Sequence, residues 1–341
     1  MTGSWRVYPL ILCCLILACM SASAADEPAL TPDSPLSLTV IGEAQEDYDG
    51  LYYVATGIDC EGLELVLPHK AVGERRQFGS RGMLPTLHTN ARVSPASGEI
   101  LLLMTAPYSK SGMLRTGIYS GRYAQADGAL LEGRRFTAHV GVDAPRVVDF
   151  DFCFTDWSDG VIFAGSEFTG RVILVECDAR GRLIDRLVQY VPGRTFSGMQ
   201  VLMIEDMLDI GDEIYLLVSN RSGPSFMGRT YKLAVCASEI EYSMLRFTQQ
   251  GTHHAAALAF SKKQPMPAFD LESQDAASVL AYQDFGRLSL SENGVLMAHV
   301  WENDGQSLWR FDRELTTAEK MGEGDPALVP IMRYFEYFAE E

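Results

Sequence analysis

The chain has 341 residues and a formal net charge of −17, from 45 acidic and 28 basic side chains. So negative a molecule is excluded from general nucleic-acid binding, which needs a field of the opposite sign. The charge is uneven: residues 25–69 hold ten acids and no Lys or Arg, Lys70–Arg146 holds eleven Lys or Arg against five acids for a net +6, and residues 147–341 hold 16 against 30.

Residues 1–24 read as a secretory signal. Met1–Arg6 carries one positive charge, Val7–Met20 is almost continuous hydrocarbon, and Ala22-Ser23-Ala24 supplies the small residues a signal peptidase accepts. The apolar run is shorter than the roughly 18 residues of a spanning helix. Ile16-Leu17-Ala18-Cys19 is similar to a bacterial lipobox, so Cys19 is a lipidation candidate and a lipid anchor the one route to a membrane. Residues 25–37, with Pro28, Pro32 and Pro35, read as an exposed leader, and ordered structure is expected from Leu38. The exported chain keeps Cys60, Cys153, Cys177 and Cys236. Cys153 and Cys177 fall on neighbouring predicted strands, so they are either a disulfide or two buried thiols.

From there a glycine turn opens five times into a short apolar run: Gly50-Leu-Tyr-Tyr-Val-Ala, Gly98-Glu-Ile-Leu-Leu-Leu, Gly160-Val-Ile-Phe-Ala, Gly211-Asp-Glu-Ile-Tyr-Leu-Leu-Val and Gly294-Val-Leu-Met-Ala-His-Val. This is one hairpin unit used repeatedly. Further strands follow over Gly117–Tyr123, Arg171–Cys177, Leu183–Tyr190, Tyr231–Cys236 and Leu308–Asp312. The spacings are 48, 62, 51 and 83 residues, and the last leaves room for a degenerate unit around His254–Phe260. Six units then fit between residues 38 and 325. Periods near 40 to 50 residues built from four short strands belong to β-propeller blades. The fold class is therefore all-β: a single propeller of six blades, each of about four antiparallel strands, with five to seven admitted. Residues 326–341 form a C-terminal segment, either helix or strand.

Trp157-Ser158-Asp159-Gly160 resembles the repeat signature of TolB-type (PD40, WD40-like) propellers without its proline, and Ser291-Glu292-Asn293-Gly294 and Ser94-Pro95-Ala96-Ser97-Gly98 are similar. The resemblance implies the fold and little about activity, because propellers host binding proteins, lyases, lactonases and glycosidases alike.

The sequence has no nucleophile elbow, His-Glu-x-x-His, zinc-type cysteine spacing, P-loop or complete calcium loop, and no cofactor or metal is indicated. Asn220-Arg221-Ser222 is a glycosylation sequon. Three constellations remain. In Asp149-Phe-Asp151-Phe-Cys153-Phe, alternation puts both carboxylates on one face; on an innermost strand they would face the channel as acid and base, and otherwise they are solvated or bond backbone. His253 and His254 lie on opposite faces of any strand, so at most one meets a given pocket. Lys70, Arg75, Arg76 and Arg81, with Arg92 and His88 following, form a glycine-punctuated basic loop. Guanidinium groups there suit a protein partner or an acidic small-molecule or saccharide ligand, or else they compensate the protein's own carboxylates.

The sequence thus points to an exported protein, periplasmic or extracellular, that binds or scaffolds without catalysis. Its rivals are a hydrolase or lyase acting on a sugar or lactone, with Asp149, Asp151, His88 and His253 or His254 at the channel, and a structural envelope lipoprotein.

Overall fold

All five glycine turns have one structural meaning: each joins the first strand of a sheet to the second. The computed structural model describes residues 35–47, 50–70, 76–78, 89–110, 113–136, 147–155, 160–167, 171–178, 182–190, 200–211, 213–222, 239–248, 255–265, 282–302, 305–324 and 331–339. Every regular element among them is a β-strand.

The first sheet contains β1 (Leu38–Asp47), β2 (Gly50–Cys60) and β3 (Leu63–Leu65), with β4 (Arg76–Phe78) against the other end of β2. The second is β5 (Thr89–Val93), β6 (Ile100–Lys110), β7 (Met113–Tyr123) and β8 (Leu130–Arg135). The third is β9 (Val147–Phe154), β10 (Val161–Glu167), β11 (Arg171–Cys177) and β12 (Leu183–Tyr190). The fourth is β13 (Gln200–Ile210), β14 (Glu213–Ser222) and β15 (Glu239–Thr248), with β16 (Ala255–Ala259) and β17 (Gln264–Pro265) both on β15. After β18 (Tyr282–Asp284) comes the fifth, β19 (Gly286–Leu290), β20 (Leu296–Glu302), β21 (Gly305–Phe311) and β22 (Ala318–Glu323). The last strand, β23 (Ile331–Ala339), pairs with β18 and with β1, so that β18 and β23 complete the first sheet as a six-stranded one.

Gly98, Gly211 and Gly294 have φ of 67°, 68° and 71°. That left-handed conformation costs glycine nothing and strains any residue with a Cβ, which is why glycine recurs there. Ser94 and Ser291 complete two of these turns, their hydroxyls accepting from the amides of Ser97 and Val295.

Both faces of the third and fourth sheets are apolar because each is covered on both sides. Phe150, Phe152 and Phe154 of β9 pack with Leu101, Leu103 and Ile118 of the second sheet. The other face of the third sheet, with Ile162 and Leu174, meets Leu202, Ile204 and Leu216 of the fourth. The fourth sheet presents Tyr215, Leu217 and Tyr242 to Leu296, Val300 and Phe311 of the fifth. Each such side chain contributes about 1.5–3 kcal/mol when fully buried. First and second sheets meet more tightly: a Cβ on Gly133 of β8 would lie 2.0 Å from the carbonyl oxygen of Pro68.

The fold is thus a β-propeller with five sheets among the described residues, within the expected five to seven and one short of six. The unit expected around His254–Phe260 is no blade: Ala255–Ala259 is β16, an outer strand of the fourth sheet. The C-terminal segment is strand, not helix. Order begins before Leu38, because Pro35 bridges Arg92 and the Leu36 amide donates to the Ala91 carbonyl at 2.9 Å, with Leu36 buried. The Tyr231–Cys236 strand lies outside the described residues.

The disulfide expectation for Cys153 and Cys177 is corrected. Both are buried and outside any disulfide, as is Cys60. Strand β10 separates them, and they belong to hydrophobic clusters on opposite faces of the third sheet. Burial pushes the Cys177 thiol up to about 12, helped by Asp178 and Glu176.

Candidate functional site

The strands β5, β9, β13 and β19 are the first strands of consecutive sheets, and polar side chains stitch them together. Asn90 Nδ2 donates to the Phe150 carbonyl at 2.6 Å, joining β5 to β9. Asp149 Oδ2 accepts from the Ile204 amide at 2.6 Å, joining β9 to β13. Asp206 Oδ2 accepts from the Leu288 amide at 2.8 Å, joining β13 to β19.

Arg92 occupies the middle of this arrangement. Its Nη2 lies 2.9 Å from Asp151 Oδ2 and 2.9 Å from Asp206 Oδ1, and all three side chains are only 3–4% exposed. Asp206 belongs to the fourth sheet and Arg92 to the second, so the pair spans the width of the third. The inner strands of the second, third and fourth sheets are thus joined through one guanidinium. Asp151 Oδ1 also accepts from the Phe152 amide, Asp206 Oδ1 from the Met207 amide, and Arg287 Nη1 stands 3.6 Å from the same Asp206 oxygen. The Arg92 guanidinium further lies 6.0 Å from the Phe152 ring centroid.

A second buried pair extends the network outward. Arg221 Nη2 donates to Glu205 Oε1 at 2.8 Å, Ser219 donates its hydroxyl to that oxygen, and Glu205 Oε2 accepts from the Phe285 amide at 2.6 Å. Glu205 and Asp206 are adjacent yet serve different neighbours. The local cause is a bulge, since the register with β14 shifts between Ile204 and Asp206 and Glu205 has no partner in it. An extra residue in one strand re-aims the side chains around it.

The predicted site residues separate accordingly. Asp149 and Asp151 come together with Arg92 at the inner ring, 1%, 3% and 2% exposed. Arg92, grouped in sequence with the basic loop, is an internal counter-ion at this position. Arg76 is on β4 opposite Tyr53, and Lys70 is exposed. Arg75, Arg81, His88, His253, His254 and Cys19 lie outside the described residues. Asn220 of the sequon is 7% exposed in the middle of the fourth sheet, a poor glycan acceptor in the folded chain. Sequence reading missed Glu205, Asp206, Arg221 and Arg287; the interruption of Val201-Leu-Met-Ile by Glu205-Asp206 was the available signal.

Elsewhere, a shallow cleft of about 30 Å³ between the second and third sheets is lined by Glu99, Arg122, Arg134, Phe136, Phe154 and Asp178 among others. That volume holds roughly two waters. Its cations are matched, Arg122 to Glu99 at 2.7 Å and Arg134 to Glu132 at 2.5 Å. Among the described residues no group of His, Cys, Asp and Glu is placed to hold a metal ion, and no helix is long and apolar enough to cross a membrane.

No family model and no curated protein matches this sequence. Among solved structures the chain is similar to a protein of unknown function from Bacteroides caccae, with 12% identity, TM-score 0.34, and 87% of this chain and 85% of that one covered. It is also similar to TolB from Acinetobacter baumannii, with 15% identity, TM-score 0.35, and 90% and 58% covered. A third is the periplasmic gluconolactonase PpgL from Pseudomonas aeruginosa, with 12% identity, TM-score 0.32, and 86% and 83% covered. Likenesses this distant carry no argument, and the propeller architecture rests on this chain's own sheet order.

Proposed function

We propose that this chain is an exported propeller that works by binding, as a non-catalytic scaffold of the periplasm or cell exterior, with the loops of the basic sector Lys70–Arg146 as its contact surface. The observation that carries this reading is the state of the inner-ring acids. A general acid or base must reach a substrate proton. Asp151 instead holds Arg92 and the Phe152 amide, and Asp149 holds the Ile204 amide. Their buried surroundings favour the work of fixing adjacent blades over turnover of a sugar or lactone at the channel.

The basic sector is the complementary half of the reading. Within an acidic molecule, a sector of net +6 attracts acidic partners and raises their encounter rate. Arg75, Arg76 and Arg81 are its densest group. The partner is a protein or an acidic small molecule or saccharide; export follows from the signal-like residues 1–24, and Cys19 lipidation is a branch that intact mass of membrane fractions resolves. The test replaces Arg75, Arg76 and Arg81 with Ser and compares capture from an envelope extract and retention on immobilised polygalacturonate at low and high salt. Capture lost with the three arginines supports the reading, and capture unchanged in both formats overturns it.

A further inference from the structure

Among the described residues nearly every strand pairing is local: four of the five sheets are made only of strands close in sequence. Strand β23 is different. Its residues Ile331, Met332 and Arg333 pair antiparallel with Asp284, Gln283 and Tyr282 of β18. Its next six, Tyr334 to Ala339, pair in parallel with Thr39 to Ala44 of β1. One strand thus fills the gap between β18 and β1 within the first sheet, and the two sets of backbone bonds do not overlap.

Three physical consequences follow. The pairing with β1 joins residues about 295 positions apart, so it forms against the full entropy of closing a long loop. Parallel pairs are also slightly less stable per residue than antiparallel ones. Finally, when β23 leaves, no hairpin breaks, and what remains is the β1–β4 part of the first sheet with an open edge at Thr39–Ala44 and a short open edge at Tyr282–Asp284. An open edge is a template for any extended chain that satisfies the same donors and acceptors.

We infer that the β18–β1 seam is a strand-acceptor site, filled in the monomer by the chain's own β23 and in a dimer by β23 of a second copy, exchanged reciprocally. The second copy is the occupant because its Ile331–Ala339 matches both registers by identity, the condition that makes strand exchange a low-cost route to dimers. The seven residues between Glu323 and Ile331 span at most about 25 Å, which bounds how far β23 can reach from the fifth sheet. The inference does not depend on the basic sector or on what it binds.

The test refolds the full chain from denaturant over a range of concentrations and reads mass by light scattering. The expected result is a dimer whose share rises with concentration during refolding and which is absent from a chain lacking residues 325–341. That shortened chain should also take up a labelled Ile331–Glu341 peptide saturably, while a scrambled peptide and the intact monomer show no uptake. A monomer at every concentration, or a dimer that persists in the shortened chain, overturns the inference. Should the shortened chain not fold, hydrogen exchange on the intact monomer decides. Amides of β23 and of Thr39–Ala44 must then exchange together while the third and fourth sheets stay protected; exchange only with the whole molecule overturns it.

Discussion

Replacing Arg92 with Leu removes the guanidinium that joins Asp151 to Asp206, in a site where every side chain is 3–4% exposed. Losing one partner of a buried ion pair leaves an uncompensated charge and costs about 3–5 kcal/mol. Here each carboxylate keeps support, Asp151 from the Phe152 amide and Asp206 from the Leu288 and Met207 amides and from Arg287 Nη1 at 3.6 Å. The cost therefore belongs at the lower end, about 3 kcal/mol. At roughly 2 °C per kcal/mol for a large domain, that is a fall in Tm of about 6 °C. The assay is thermal and urea unfolding at neutral pH of Arg92→Leu, Asp206→Asn and the double variant. Because Asp206→Asn removes one stranded charge, the double variant should be more stable than the two single effects add up to, by about 1 kcal/mol or more. A Tm within about 1 °C of the parent for Arg92→Leu, or strict additivity in the cycle, would refute the reasoning that these charges tie non-adjacent blades together.

Other consequences are as direct. Cys60 and Cys177 have thiols pushed up to about 12 by burial, so iodoacetamide at pH 8 should leave both and Cys153 unmodified in the native chain and label all three after denaturation, read by peptide mass mapping. Gly133→Ala should destabilise the chain by about 1–3 kcal/mol in urea unfolding, since the new methyl meets the Pro68 carbonyl and β8 must move from the first sheet. Burial raises the Glu213 carboxyl, but the Tyr215 hydroxyl and Arg246 outweigh it and hold it below the usual carboxylate range. A depressed folded-state value stabilises above the ordinary range near roughly 4.3 and is lost as pH falls through and below it. Glu213→Gln should therefore flatten the acid limb of stability against pH, and an unchanged limb would assign it to other carboxylates.

The blades were legible because their signal is local. A turn that needs φ near 70° selects glycine, and a strand covered on both faces is apolar throughout, so Gly98, Gly211 and Gly294 with their following runs mark hairpins without reference to the rest of the chain. The expectation of a sixth unit, within the range of five to seven, has the same origin. Spacing alone turned the interval from Gly211 to Gly294 into two units, whereas it holds the outer strands of the fourth sheet and the approach to the fifth. The C-terminal segment was legible only as helix or strand and its partner not at all, because a parallel pairing across the whole chain has no turn to announce it. At the inner ring, alternation correctly placed Asp149 and Asp151 on one face. It did not reveal that Arg92, a residue type mostly found at surfaces, turns inward to meet Asp151, nor that a bulge at Glu205 brings Asp206 to the same guanidinium.

Site-specific photocrosslinking in the native host decides most directly whether this propeller binds through its basic sector. The crosslinker replaces Arg76, on β4 within the basic sector, in one strain and Lys320, half-exposed on the fifth sheet, in another. Partner adducts are predicted at position 76 and absent at position 320. Adducts at 320 with none at 76 would contradict the proposed contact surface.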